Sequence, residues 1–181
     1  VEILYGEALI QDHAARLFRG EALYQPLGQP YYTVAAYTPL FYGLVAVGQA
    51  FVGPGLLLAR AVSLLATGAT AVLLGYLAAR HHRGVAAGAL AALLFVALGF
   101  PTPFPWFALG KEDSLGVAFG AASVALLASG QDKQRVTGAA LLAALAVLTK
   151  QSLIAAGVAG FFALGIHNRR AALWFATFSA G

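Results

Sequence analysis

Residues 136–166 read VTGAALLAALAVLTKQSLIAAGVAGFFALGI, and the only charge among them is Lys150. The stretch is apolar on all sides, unlike an amphipathic helix lying on a soluble core. Read as one helix, it places Lys150 at a bilayer centre, at a cost of about 2.5–3.5 kcal/mol. It also sends Lys133-Gln134-Arg135 and Asn168-Arg169-Arg170 to opposite sides, although basic loops collect on the cytoplasmic face. Two short helices, 136–149 and 153–166, turning at Lys150-Gln151-Ser152, remove both conflicts. Each is short for a hydrocarbon core of about 30 Å. Lys150 is therefore expected in a water-accessible dip below the outer surface.

The remaining sequence extends this pattern. Uncharged runs cover 38 residues between Glu21 and Arg60, 19 at 61–79, 27 at 84–110 and 18 at 114–131. A membrane helix needs about 20 apolar residues. Several such runs joined by tight polar loops predict an all-α fold, a polytopic transmembrane helical bundle. A barrel shows alternating segments of about ten residues instead. With Arg80-His81-His82-Arg83 also cytoplasmic, 61–79 runs inward, 84–100 outward and 113–130 inward. Residues 38–53 then cannot be a full span without inverting every later loop. Pro39 to Phe51 is read as a partial insertion or interfacial helix turning at Gly53-Pro54-Gly55. The domain division is 1–37, an extracytoplasmic loop with an interfacial helix at 7–20, and 38–181, a transmembrane helical module.

Composition supports this class. Of 181 residues, 60% are hydrophobic and 10% charged, against about 25% charged in soluble domains. Too few charges remain to coat a soluble surface, and the hydrophobicity excludes disorder. The net charge of +4 comes from scattered residues, without the basic stripe that a nucleic-acid partner requires. No cysteine is present, which excludes disulfides, zinc–thiolate sites and thiol nucleophiles. The chain opens at Val1 and stops inside an apolar run, so it is expected to be part of a longer polypeptide, incomplete at both ends.

Sorted by expected side, the charges are unequal. The outer side holds Glu2, Glu7, Asp12, Glu21, Glu112 and Asp113 with Arg16, Arg19, Arg60, Lys111 and Lys150; Asp132 is the one inner acid. Topology requires basic inner loops but no outer acids, so any chemistry is expected outside. The helix at 7–20 has Asp12, Arg16 and Arg19 on one face and Ile10, Ala14, Leu17 and Phe18 on the other. Glu7 sits in its first turn, where the helix dipole favours a carboxylate; it is either that dipole's partner or a working acid. Asp12 is read as the i,i+4 partner of Arg16. Pro101-Thr102-Pro103-Phe104-Pro105-Trp106-Phe107 reads as a stiff outer loop with Trp106 and Phe107 in an aromatic belt. It leads to Lys111-Glu112-Asp113, either a charged stop or carboxylates facing the same cavity as Glu7. Arg60 and Lys150, isolated cations at span ends, either snorkel to headgroups or clamp a phosphate. Tyr24, Tyr31, Tyr32, Tyr37 and Tyr42 cluster outside, as belt residues or as faces on which sugars stack. His13 is a weak candidate base, and His81 and His82 point apart and make a poor metal pair. Gly84-x-x-x-Gly88 and Gly116-x-x-x-Gly120 allow close helix contacts. No phosphate-binding glycine loop, metal-ligand spacing or Ser-His-Asp set is found, so no cofactor is implied and a divalent metal stays open.

The order of these elements resembles a family. Gly6-Glu7 is followed by a helix ending in Arg-Gly-Glu-Ala-Leu-Tyr24. Then come Tyr37-Thr-Pro-Leu-Phe-Tyr42, Ala59-Arg60 at the opening of a span, Lys111-Glu-Asp113 at another, and Leu148-Thr-Lys150-Gln-Ser at a break. Nearly the whole chain is similar to the N-terminal half of the membrane module of GT-C fold glycosyltransferases. These include the dolichyl-phosphate-mannose protein mannosyltransferases and the bacterial aminoarabinose lipid A transferases. That family often opens its first outer loop with Asp-Glu where this chain has Gly6-Glu7, so no role for an Asp at position 6 carries over.

The resemblance implies sugar transfer from a polyprenyl-phosphate donor to a protein, lipid or glycan acceptor. The enzyme it implies is integral to a membrane, the bacterial plasma membrane, with its site on the extracytoplasmic face. Glu7 matches the family's acidic position and would accept the proton of the acceptor hydroxyl. Asp113 matches a second outer-loop acid. Lys150 matches a lysine near the donor phosphate, with Arg60 and Lys111 as further substrate-binding cations. Two other classes compete with this reading. A multipass transporter would use the helix break as its substrate site, and a structural subunit of a membrane complex would need no site.

Overall fold

The helix boundaries follow from local chemistry. Asp132 caps the helix that follows it, its carboxylate accepting the Arg135 N–H at 3.2 Å, and Asn168 accepts the Ala171 N–H at 3.1 Å. Both satisfy amide groups that a helix start leaves without partners. Glu112 and Asp113 occupy the first turn of another helix, where negative charge is favoured. Gly20 and Gly53 adopt φ of 76° and 78°, a left-handed conformation that ends the helices before them at little steric cost.

The computed structural model describes residues 5–28, 32–82, 84–99, 107 and 109–180. Among them the fold is all-α. The helices are α1 (Tyr5–Phe18), α2 (Leu40–Val52), α3 (Leu56–His82), α4 (Val85–Gly99), α5 (Glu112–Ser129), α6 (Lys133–Thr149), α7 (Ile154–His167) and α8 (Arg169–Ala180), with a 3-10 turn at Gln151–Leu153. The expected pair of short helices is present, and α6 ends one residue before Lys150. The expected loop residues Pro101 to Trp106, and Tyr31, lie outside the described residues.

Helices α3 and α4 form an antiparallel hairpin crossing at Gly75 and Gly88. α5 runs parallel to α3 and antiparallel to α6, with the Ser123 hydroxyl donating to Ala139 O at 2.8 Å. α7 and α8 form a second hairpin, where Phe175 packs on Gly160. Trp174 ties α8 to α6 by donating to Thr137 Oγ1 at 2.8 Å. The starts of α3, α5 and α7 and the end of α6 therefore share one end of the bundle with α1. Arg80, Lys133, Arg135, Arg169 and Arg170 lie at the other.

Along the contact of α5 with α6 the buried side chains are small. Among them are Ala139, Ala140, Ala143, Ala146, Gly116 and Gly120, while Leu57, Leu65, Val72, Leu98 and Ile166 face outward, each more than two-thirds exposed. By length and composition, one described helix, Leu56–His81, is able to cross a membrane. Leu40–Val52, Val85–Gly99 and Gln151–Ile166 are apolar but shorter. The several full spans expected from the uncharged runs are thus not reproduced as long helices. α4 is described only to Gly99, α5 opens on two acids, and the Lys150 break divides the last stretch.

Two expectations about α1 need correction. Arg16 was expected on a solvated face with Asp12 and Arg19, yet it is only 4% exposed, and Phe18, expected on the apolar face, is exposed. The cause is that residues 20–28 and 32–38 fold back over the helix: Arg16 donates to Leu23 O at 3.4 Å and His13 bonds Val34 O at 3.1 Å.

The α3–α4 crossing predicts a mutational contrast. A Cβ on Gly88 would lie 2.6 Å from Gly75 O and 2.9 Å from Ala79 Cβ, whereas one on Gly68 meets nothing within 4 Å. Gly88→Ala should lower stability by about 1–3 kcal/mol through overpacking. Gly68→Ala should raise it by about 0.5–1 kcal/mol through helix entropy. Thermal unfolding of the two purified variants reads both.

Candidate active site

The first half of the site is built on Glu7, whose side chain is completely buried. Arg60, one turn into α3, donates to it in a fork, Nε to Oε1 at 2.9 Å and Nη2 to Oε2 at 2.8 Å. The Gly110 N–H adds a bond to Oε1 at 2.9 Å. Glycine is required there because a Cβ would lie 2.7 Å from Ala59 Cβ. The next residue is fixed by its backbone. Ser63 donates to Lys111 O at 2.9 Å and accepts from Lys111 N–H at 3.2 Å. The Lys111 side chain lies over Gly6, whose Cβ would meet its Nζ at 2.9 Å.

The second half is built on Lys150. Its backbone leaves α6 in an extended conformation (φ −156°, ψ 122°), which turns the side chain toward the start of α5. Its Nζ lies 2.5 Å from Asp113 Oδ1 and 3.6 Å from Glu112 Oε1, and 4.6 Å from the ring centroid of Tyr37. The loop carrying Tyr37 is pinned to the break: Thr38 donates to Val147 O at 2.7 Å and Gln151 Nε2 to Ala36 O at 2.9 Å. Asp113 is 38% exposed through its side chain. It lines, with Thr67, Phe95, Phe107 and Val117, a small cavity. Thr70, Phe95 and Val117 continue from there into an almost wholly apolar groove of about 310 Å³ between α3, α4, α5 and the start of α7.

A third buried polar group, His13, lies between α1 and α2. The His13 ring stands edge-on to Tyr42, with centroids 5.2 Å apart. Its Nδ1 faces Arg16 Nη2 and so accepts, which leaves Nε2 to donate to Val34 O. Burial holds the imidazole below its ordinary pKa, and the bond to Val34 only partly opposes this. His13 is therefore a neutral packing residue, closed to solvent, rather than an available base.

Of the anticipated site residues, the structure joins Glu7 to Arg60 and Asp113 to Lys150, and sets Lys111 against Gly6 and Ser63. Arg60 is committed to Glu7, so it serves the fold before it can serve a ligand. Tyr42 is buried within the core rather than placed in a belt. Sequence reasoning gave no separate role to Glu112, which is 1% exposed. A signal was present: stepping back four residues from Gly116-x-x-x-Gly120 reaches Glu112, on the same buried face. Among the described residues, no three His, Asp or Glu side chains converge in a metal-binding group. No family model matches this chain, and neither a curated protein nor a solved structure does.

Two outcomes follow from the buried groups. Glu7→Ala should cost about 1–3 kcal/mol, because it leaves the Gly110 amide and the partly exposed Arg60 without their acceptor, and denaturation midpoints will show it. Charging His13 in place is unfavourable, so the unfolded chain binds its proton more readily. Stability should therefore be full above the unfolded pKa of about 6.5 and fall as pH drops below it. His13→Gln should flatten that acid limb in thermal melts recorded from pH 8 to pH 5.

Proposed function

We propose that this chain is part of a membrane-embedded glycosyltransferase, which moves a sugar from a polyprenyl-phosphate donor to an acceptor hydroxyl at the extracytoplasmic face. The observation that carries the reading is the pairing of Lys150 with Asp113: a cation in a helix break, bonded to a reachable carboxylate that lines a small cavity continuing into an apolar groove. A lipid phosphate needs these three features together. The ammonium meets the phosphate oxygens, the groove offers its chain an apolar path, and Asp113 lies where the head of the donor would reach. The outward leucines and the basic opposite end fit a bundle set in lipid with that end cytoplasmic.

The chemistry assigned to the residues is as follows. The acceptor oxygen attacks the anomeric carbon, and the bond from that carbon to the phosphate oxygen breaks. The acceptor proton passes to a carboxylate, and the lipid phosphate leaves with its charge stabilised by Lys150. Both Glu7 and Asp113 match acidic positions of the family resembled. Asp113 is the one with access to a ligand, whereas Glu7 has its oxygens engaged by Arg60 and Gly110. Asp113 is accordingly assigned as the base, and Glu7 as the residue that positions α1, α3 and the approach to α5.

In the full-length protein, Asp113→Asn should lower turnover by about 10²–10⁴-fold. Lys150→Ala should weaken donor binding as well as turnover, and Lys150→Arg should keep part of each because the charge survives. Binding is measured with a polyprenyl-phosphate sugar, and turnover by release of the lipid phosphate. A wild type without affinity for such lipids that instead moves a soluble solute in liposomes would establish the transporter reading.

A further inference from the structure

Glu112 is the one buried carboxylate among the described residues that the mechanism does not use. Its Oε2 has no hydrogen-bond partner, and its Oε1 stands 3.6 Å from Lys150 Nζ, beyond hydrogen-bond length. A buried carboxylate oxygen without a donor is costly. Burial pushes the Glu112 carboxyl above its ordinary range and Asp113 adds to this, while Lys150 and Lys111 oppose it only in part. Lys150, however, makes its short contact with Asp113. One ammonium thus serves two carboxylates, Asp113 on the exposed side and Glu112 on the buried side, with the Tyr37 ring against it.

This stacking has a consequence for an incoming anion. A phosphate can reach Lys150 only from the exposed side, where it competes with Asp113. Glu112 lies on the side that the phosphate does not reach. We propose that Glu112 restrains the affinity of Lys150 for phosphate: it stays against the ammonium on the buried side when a phosphate displaces Asp113, and its charge limits how tightly that phosphate is held. The inference rests on the reading of Lys150 as a phosphate ligand. It explains why a buried carboxylate stands at a site that binds an anion: the repulsion weakens the hold on the departing lipid phosphate, and so favours its release.

The test uses the full-length protein in lipid nanodiscs, with equilibrium binding of polyprenyl phosphate in one arm and inorganic phosphate in the other. Glu112→Gln keeps the shape and removes the charge, so phosphate should bind roughly threefold to tenfold tighter. In a Lys150→Ala background the same change should give no gain, because the two residues act as a pair. Asp113→Asn, at a partly exposed position, should bind phosphate at least as tightly as wild type, since it removes the carboxylate that competes with phosphate for Lys150. A gain confined to polyprenyl phosphate supports a lipid headgroup as the ligand, and a gain in both arms supports phosphate alone as sufficient. Unchanged or weaker binding by Glu112→Gln overturns the proposal while leaving the phosphate site intact. Loss of binding in Asp113→Asn does the same, and decides the matter even if Glu112→Gln fails to assemble. A wild type that binds neither probe overturns the phosphate site itself.

Discussion

The burial of Glu7 is the constraint on which the site end of this protein depends. A carboxylate with no solvent contact is tolerated only when its oxygens are met by donors, and these come from two other parts of the chain. Arg60 brings α3 to it, and the Gly110 amide brings the segment before α5. That segment is held again by Ser63 on Lys111. The start of α5 is thereby located, and with it Glu112 and Asp113. Lys150 can meet two carboxylates because Glu7 has already fixed where they stand.

The second constraint is the interruption at Lys150. A helix continued through that residue would carry the ammonium along the outside of an apolar rod. Ending α6 at Thr149 and restarting at Ile154 frees the chain to turn the lysine inward. The loop around Tyr37 closes over the break by bonding to Val147 and by accepting from Gln151. Three segments far apart in sequence are joined at one point: one carries the cation, and the other two meet it with the Tyr37 ring and with the carboxylates of Glu112 and Asp113.

Below this polar end, packing follows a different rule. Glycine, alanine and serine line the α5–α6 seam, and many leucines and valines face outward. Small side chains let helix backbones approach closely, so association can rest on dispersion and a few buried hydroxyl bonds such as Ser123 to Ala139. A chain folding by the hydrophobic effect in water would place its leucines inside. In the proposed membrane setting the surrounding lipid takes that role, and no outward leucine requires a protein partner.

Much of this was legible from residue order alone. Helicity, the break at Lys150 and the grouping of basic residues at one end follow from local propensity and charge spacing, which depend only on near neighbours in the chain. The face carrying Gly116 and Gly120 was legible as a packing face as well. The sequence could not show that Glu7 meets Arg60 and Gly110, because a pairing across 53 and 103 positions has no local signature. For the same reason Arg16 read as a solvated partner of Asp12, until residues folding back over α1 enclosed it. Whether a charge is buried depends on what the rest of the chain lays over it. The sequence by itself determined which residues carry charge and where the helices stop; only the tertiary structure decided which carboxylates are closed and which one a ligand can reach.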